Sequence, residues 1–258
     1  MRRKRRRQVL RRIQLNQSNY YSPKANEQYF SVSQYKDFIK CEAMAMAKIS
    51  GVYKPEMTRA MLIGSFVDAY FEGTIEQFIQ ENPAVFTRKQ ELRSEFRKAN
   101  EIISRIKNDE LFMRFMSGDK QRIMTFELFG VPWKMKMDSY LQHICITDLK
   151  VVANYRSLPY WRYDLQGALY QKGVEIVTGE QLPFYLAVAT KERVIDLDIF
   201  QIPQPSLDMG LNEVAVNIGH FAEVKAGYVE PTYCGKCDYC KSIKAAKIRN
   251  YNELLEVT

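Results

Sequence analysis

The sequence predicts an α/β (α+β) domain with a central mixed, mostly antiparallel sheet flanked by helices. Three observations carry the prediction. Three helix-length patterns come first. Three strand-length segments then follow one another between Arg122 and Lys150, divided by Gly130 and a short turn near Ser139 to Gln142. A helix, two more strands and a long amphipathic helix complete the alternation. With 258 residues, 46% of them hydrophobic, the chain is long enough to bury one sizeable core.

The first twelve residues, MRRKRRRQVLRR, hold eight of the 38 Lys and Arg and no acid, and the other 30 balance the 30 Asp and Glu. A block this dense repels itself, and it would bind a polyanion by releasing counterions. Residues 1–29 are therefore read as a flexible basic tail. Arg2, Arg3, Lys4, Arg5, Arg6 and Arg7 are candidate nucleic-acid contacts, unless the segment is only a solubilising extension. Residues 30–258 form the single folded domain.

Each element has a local reason. Residues 19–30 read as irregular. Ser31 with Gln34 resembles a capping box, opening a helix through about Ile49 that stops at Gly51. Further helices are expected over about Thr58–Phe78 and Thr87–Lys107. The strands RIMTFELF, VPWKMKMDSY and HICITDLKV precede a helix at about Tyr160–Thr178. PFYLAVATK and VIDLDIFQI are the last two strands, and a helix over about Pro205–Gly227 leads to the cysteine motif. No apolar run approaches the roughly 20 residues that span a bilayer, and no signal-peptide stretch follows the charges. A cytoplasmic protein without membrane contact is expected.

Asp148 and Lys150 close an otherwise apolar strand. Alternation puts both on one face and Leu149 on the other. An isolated Asp-x-Lys is usually an ion pair facing water. Here Asp138 sits near the end of the preceding strand, and a hairpin would bring the two carboxylates together near one edge of the sheet. Two such carboxylates beside one Lys call for a hard, oxygen-ligated cation such as Mg²⁺. Asp68 and Glu72, four apart in LIGSFVDAYFEG, share a helical face, with Gly64 a turn earlier; they are either a solvent-facing stripe or further ligands. Gln166 and Tyr170 are also four apart. They can offer an amide and a phenol to a phosphate or base, or form a polar rim.

Taken in order, Gly-x-x-x-Asp-x-x-x-Glu, Asp, Asp-x-Lys and Gln-x-x-x-Tyr form a constellation. It resembles the RecB-like branch of the PD-(D/E)XK nucleases, and GSFVDAYFEG looks most like the phage and prophage RecE-like exonucleases (exodeoxyribonuclease VIII). The resemblance covers about residues 30–245. It implies a restriction-endonuclease-like core in which Asp138 and Asp148 ligate one or two Mg²⁺ or Mn²⁺ ions and Lys150 orients or activates the attacking water. Asp68 stands where RecB-like enzymes usually have His, a departure that bears on metal preference. Glu72 would lie beside it as an occasional ligand.

The implied activity is phosphodiester hydrolysis of DNA with a free end, leaving a 5′ phosphate, in phage-type recombination or end processing. A homo-oligomeric ring and a RecT-like single-strand annealing protein are the implied partners. The rival from another class is a non-catalytic nucleic-acid-binding or scaffold protein on a degenerate nuclease fold. The intact acids and Lys150 speak against it.

Five cysteines occur, three of them in YCGKCDYCK: Cys234, Cys237 and Cys240. With the remote Cys41 they could complete a Cys₄ set for an iron–sulfur cubane or for tetrahedral zinc. RecB-like relatives carry the same one-plus-three layout around a [4Fe–4S] cluster that staples the two ends together. The last gap here is two residues, shorter than theirs. Cys145 reads as a small core residue, and His143 and His220 as structural. Among motifs for other chemistries, no Gly-x-Ser-x-Gly, Gly-x-x-x-x-Gly-Lys or His-Glu-x-x-His is present, so neither a serine-hydrolase elbow nor a built-in ATPase motor is expected.

Overall fold

The computed structural model describes residues 12–89, 91–248, 250 and 252. Arg2 to Arg7 lie outside them. The helices before the sheet are α1 (Pro23–Gln28), α2 (Val32–Lys40), α3 (Glu42–Ile49), α4 (Arg59–Glu72), α5 (Ile75–Glu81), α6 (Ser94–Lys107) and α7 (Glu110–Phe115). The sheet is β1 (Asp119–Leu128), β2 (Val131–Leu141), β3 (Cys145–Val152), β4 (Phe184–Thr190) and β5 (Leu197–Gln201). Helix α8 (Tyr163–Thr178) lies between β3 and β4, and α9 (Gln204–Lys225) and α10 (Asp238–Ser242) follow β5.

The strands stand in sequence order. β1/β2, β2/β3 and β4/β5 are antiparallel, while β3/β4 is parallel, because α8 carries the chain across between them. The expectation of a sheet edge is corrected: β2 and β3 are interior strands, and β1 and β5 are the edges.

Each face of the sheet has its own apolar layer. Trp133, Met135, Met137 and Ile146 pack with Tyr35 and Phe38 of α2, Leu165 of α8 and Ile218 of α9. Leu149, Ala187 and Ala189 pack with Phe66 of α4, Ile102 and Ile106 of α6 and Phe112 of α7. Two helical layers around one sheet leave few backbone groups unpaired and bury both faces.

Several expected boundaries differ. The helix from Ser31 breaks at Cys41, whose φ of −173° and ψ of 114° are extended, so α2 and α3 are separate. Ser31 Oγ caps the N–H of Gln34 as expected, but the Gln34 amide turns to the Asn26 carbonyl and leaves the box one-sided. Gly73 adopts φ +77° and ends α4, a C-cap that favours glycine, and α5 starts afresh. Helix α6 begins at Ser94, not Thr87, and α1 and α7 occupy stretches not read as helical. Ser22 capping α1 with Pro23 at its first turn is a signal that was available.

Residues 12–29 pack against the sheet. Gln17 Nε2 donates to Gln121 O at 2.7 Å, Tyr29 Oη donates to Ile13 O at 3.0 Å, and the buried Lys134 donates to Asn26 Oδ1 at 2.7 Å. These contacts bring residues ahead of the expected boundary at residue 30 into the packed body. No helix among the described residues is long and apolar enough to cross a membrane.

Candidate active site and cysteine centre

Asp148 and Lys150 share the face of β3 that carries Ile146 into the α2/α8/α9 layer, and Leu149 packs in the opposite layer. Lys150 Nζ is ion-paired with Asp148 Oδ2. Gln166 on α8 donates its amide to Asp148 Oδ1 at 2.6 Å. Asp148 is only 2% exposed, so these contacts replace water around its charge.

Asp138 enters from β2. The β2/β3 ladder runs from Leu141↔Cys145 to Ser139↔Thr147. One step further on, the Asp138 carboxylate rather than a carbonyl accepts the Leu149 N–H, at 2.9 Å. Its other oxygen accepts the Gln121 amide at 3.2 Å. Asp68 and Glu72, on the side of α4 turned to the sheet, line a small cavity with Asp138 and Gln121. They also border a groove of about 420 Å³ that includes Tyr21, Gln77 and Lys136. A Cβ on Gly64 would meet no atom of the described residues within 4 Å.

The electrostatics follow from burying several carboxylates beside one ammonium. Burial pushes Asp68 up to about 7; Lys150 opposes the shift, and the charges of Asp148 and Glu72 add to it. Asp138 is raised well above the ordinary range, first by burial and then by Asp148. Burial alone would lower Lys150, but Asp148 and Asp138 outweigh it and hold the ammonium charged. Protons or a divalent cation would relieve the carboxylates, and buried oxygens of this charge suit a hard ion such as Mg²⁺ or Mn²⁺. Asp68, Glu72 and Asp138 line one cavity, while Asp148 is turned onto Lys150 and Gln166.

The remaining expected contacts fall differently. Tyr170 is 8% exposed and gives its hydroxyl to Lys136 O at 3.0 Å. The expectation that it offers a phenol to DNA is therefore corrected, since the inner face of α8 is packed against the sheet. The Gln166 amide is likewise committed to Asp148.

Two groups beside the acids carry no sequence signal. Gln121 lies opposite Asp138, between the pairs Lys120↔Ser139 and Arg122↔Met137, and adopts φ +51°, a costly backbone conformation for a non-glycine residue inside a strand. Its Oε1 is buried without a hydrogen-bond partner among the described residues. Lys36 on α2 donates to Trp161 O at 2.7 Å. Its ammonium lies 5.3 Å from the Tyr163 ring, and that of Lys150 lies 5.5 Å from the same ring. Burial, then Lys150, lowers Lys36 to about 8. Both residues become neighbours of the acids only through tertiary packing.

A second centre lies at the far end of the chain. The sulfurs of Cys41, Cys234, Cys237 and Cys240 all lie within 4.8 Å of one another, and no other group of three or more potential ligands converges so closely among the described residues. The break at Cys41 aims its thiol at the C-terminal triplet, and Cys237 caps α10. Glu42 anchors the same junction: it accepts from Thr232 N at 2.8 Å and pairs with His220 at 2.7 Å. His143 pairs with Glu180 at the surface, and Cys145 is buried beside Thr147, so these residues have structural partners.

Residues 31–243 match the PDDEXK-like domain of unknown function DUF3799, and the chain belongs to that family. Among solved structures it is similar to a protein of Eubacterium rectale described as a "Putative exonuclease", at 44% identity and a TM-score of 0.91, covering 95% of this chain and 99% of that one. Another solved protein, SSO0001, aligns at 13% identity over 83% of this chain and 98% of that one, with a TM-score of 0.33. No curated protein matches the chain.

Proposed function

We propose that the protein is a metal-dependent deoxyribonuclease acting from DNA ends. The observation that carries this reading is the meeting of Asp138, Asp148 and Lys150 where β2 and β3 diverge, with Asp68 of α4 on the same cavity. The description of the Eubacterium rectale relative supports the exonuclease form of the reading. Asp138 and Asp148, with Asp68 and at times Glu72, would hold Mg²⁺ or Mn²⁺. Such an ion supplies Lewis acidity toward a phosphoryl oxygen and lowers the pKa of bound water.

The chain's own residues supply the rest. Lys150 presents a fixed ammonium where negative charge grows on the phosphate in the transition state. Gln166 holds the rotamer of Asp148 and Gln121 that of Asp138, so both carboxylates are aimed before substrate arrives. Lys36 adds a second positive charge on the Lys150 side, suited to a neighbouring phosphate. The products are 5′-phosphate ends, and end processing in phage-type recombination, beside a single-strand annealing partner or within a ring of identical subunits, is the setting this activity suits.

The test is digestion of end-labelled linear DNA and covalently closed DNA with Mg²⁺, Mn²⁺ or EDTA. Metal-dependent loss of linear DNA with closed DNA intact is expected. Equal cutting of closed circles would replace the exonuclease by an endonuclease. Binding without hydrolysis in any metal would favour the scaffold reading.

A further inference from the structure

We propose that the four-cysteine centre holds a single tetrahedral Zn²⁺ and not the [4Fe–4S] cluster that RecB-like relatives carry in the same layout. Sulfur spacing decides between the two. Four thiolates on one zinc, each about 2.3 Å from the ion, stand about 3.8 Å apart along the edges of a tetrahedron. In a cubane each thiolate binds a different iron and points away from the cluster, so the sulfurs lie roughly 6 Å apart. Here Cys41 and Cys240 are 3.5 Å apart and Cys234 and Cys240 are 3.9 Å apart, and no pair exceeds 4.8 Å. The space enclosed suits one ion and is too small for four irons and four sulfides.

The local fold enforces this spacing. Cys234 Sγ accepts the N–H groups of Lys236 at 3.4 Å and Cys237 at 3.3 Å, which curls the first Cys-x-x-Cys into a knuckle, with Gly235 at φ +68° making the turn. Cys240 is one helical turn after Cys237, and its N–H reaches Cys237 Sγ at 3.5 Å. The two-residue last gap therefore stacks the second and third thiols over one point, where a longer gap could let the third swing outward. Cys41 is presented from the opposite side by the α2/α3 break. Ala43 N donates to Thr232 O at 3.1 Å, and Glu42 holds Thr232, so the two ends are docked by contacts that need no metal.

A zinc here would close a loop around the whole catalytic body. Its coordination energy would be folding energy, with no redox role. The inference is independent of the nuclease reading, because the centre lies outside the acidic cavity and is tested without DNA.

The experiment is elemental and acid-labile sulfide analysis of the full chain, purified under anaerobic conditions from cells supplied with both iron and zinc. Stoichiometric zinc without sulfide, and a colourless protein, is the expected result. Exchange of that zinc for Co²⁺ should then give the intense visible spectrum of a tetrahedral tetrathiolate. Cys237→Ser should lose that spectrum, while Cys145→Ser keeps it. If Cys237→Ser fails to fold, chelation and Co²⁺ reloading of the unaltered protein provide the same readout. Iron with equimolar sulfide would overturn the proposal, as would a reduced chain that takes up neither Zn²⁺ nor Co²⁺.

Discussion

The Gln121 amide reaches Asp138 Oδ1 at 3.2 Å from a backbone with φ +51°, at the third residue of strand β1. A left-handed residue there costs about 1–2 kcal/mol, and the contact it secures is with an acid of the candidate site. Gln121→Gly should remove the amide and relieve the strain together. The expected outcome is turnover lowered about tenfold, with stability to urea within about 1 kcal/mol of the parent. Unchanged turnover would show that the amide does not position Asp138.

Asp138→Asn separates catalysis from stability. Its carboxyl is raised by burial and by Asp148, so in the metal-free chain its charge opposes folding. The variant should lose at least about a hundredfold in metal-dependent hydrolysis and unfold at a higher temperature than the metal-free parent. Lys150→Ala should match it in activity but act oppositely on stability, because it leaves Asp148 buried and unpaired, at a cost of about 3–5 kcal/mol. Turnover assays beside thermal melts in EDTA check both halves.

The strand hairpin and its three charged residues were legible because alternation is local: Leu149 goes inward to one layer while Asp148 and Lys150 go to the other, and a hairpin sets Asp138 beside them. The four cysteines were legible from composition and spacing. What escaped depends on contacts distant in sequence. Tyr35 and Phe38 continue a helical stripe toward Met44, and nothing nearby requires a break at Cys41; the requirement comes from thiols nearly 200 residues later. Gln121 and Lys36 lie on ordinary amphipathic stretches and gain a role only when β1 meets β2 and α2 meets the turn at Trp161. Tyr170 differs in another way: its spacing from Gln166 was real, but its hydroxyl is spent on Lys136 O within the packed interior.

The acid cavity also sets a pH dependence. Asp68 is raised from an ordinary carboxylate value to about 7 and Asp138 is raised with it, so between about pH 4 and pH 7 the folded metal-free chain binds more protons than the unfolded chain. Stability contributed by these groups therefore falls as pH rises through that window. A divalent ion competes with the same protons. The increase in melting temperature caused by Mn²⁺ should accordingly be larger at pH 8 than at pH 5.5. An increase independent of pH would mean that the ion binds elsewhere.

The basic tail gives the last prediction. Arg12 is ion-paired with Glu127 of β1, and a deletion of residues 2–11 removes seven Lys and Arg without touching that contact. If those charges meet phosphates, each one lost takes away nearly one unit of the slope of log affinity against log salt. Affinity for linear DNA at low ionic strength should drop by at least about tenfold, and the salt dependence should become shallower. Cleavage at saturating DNA should persist, since none of the candidate catalytic groups lies in the deleted segment. Titrating the catalytically inactive Asp138→Asn chain with labelled DNA over a salt series, with and without the deletion, measures the slope directly. Equal slopes would make the tail an extension with no part in binding, and loss of turnover at saturation would place part of it in the reaction itself.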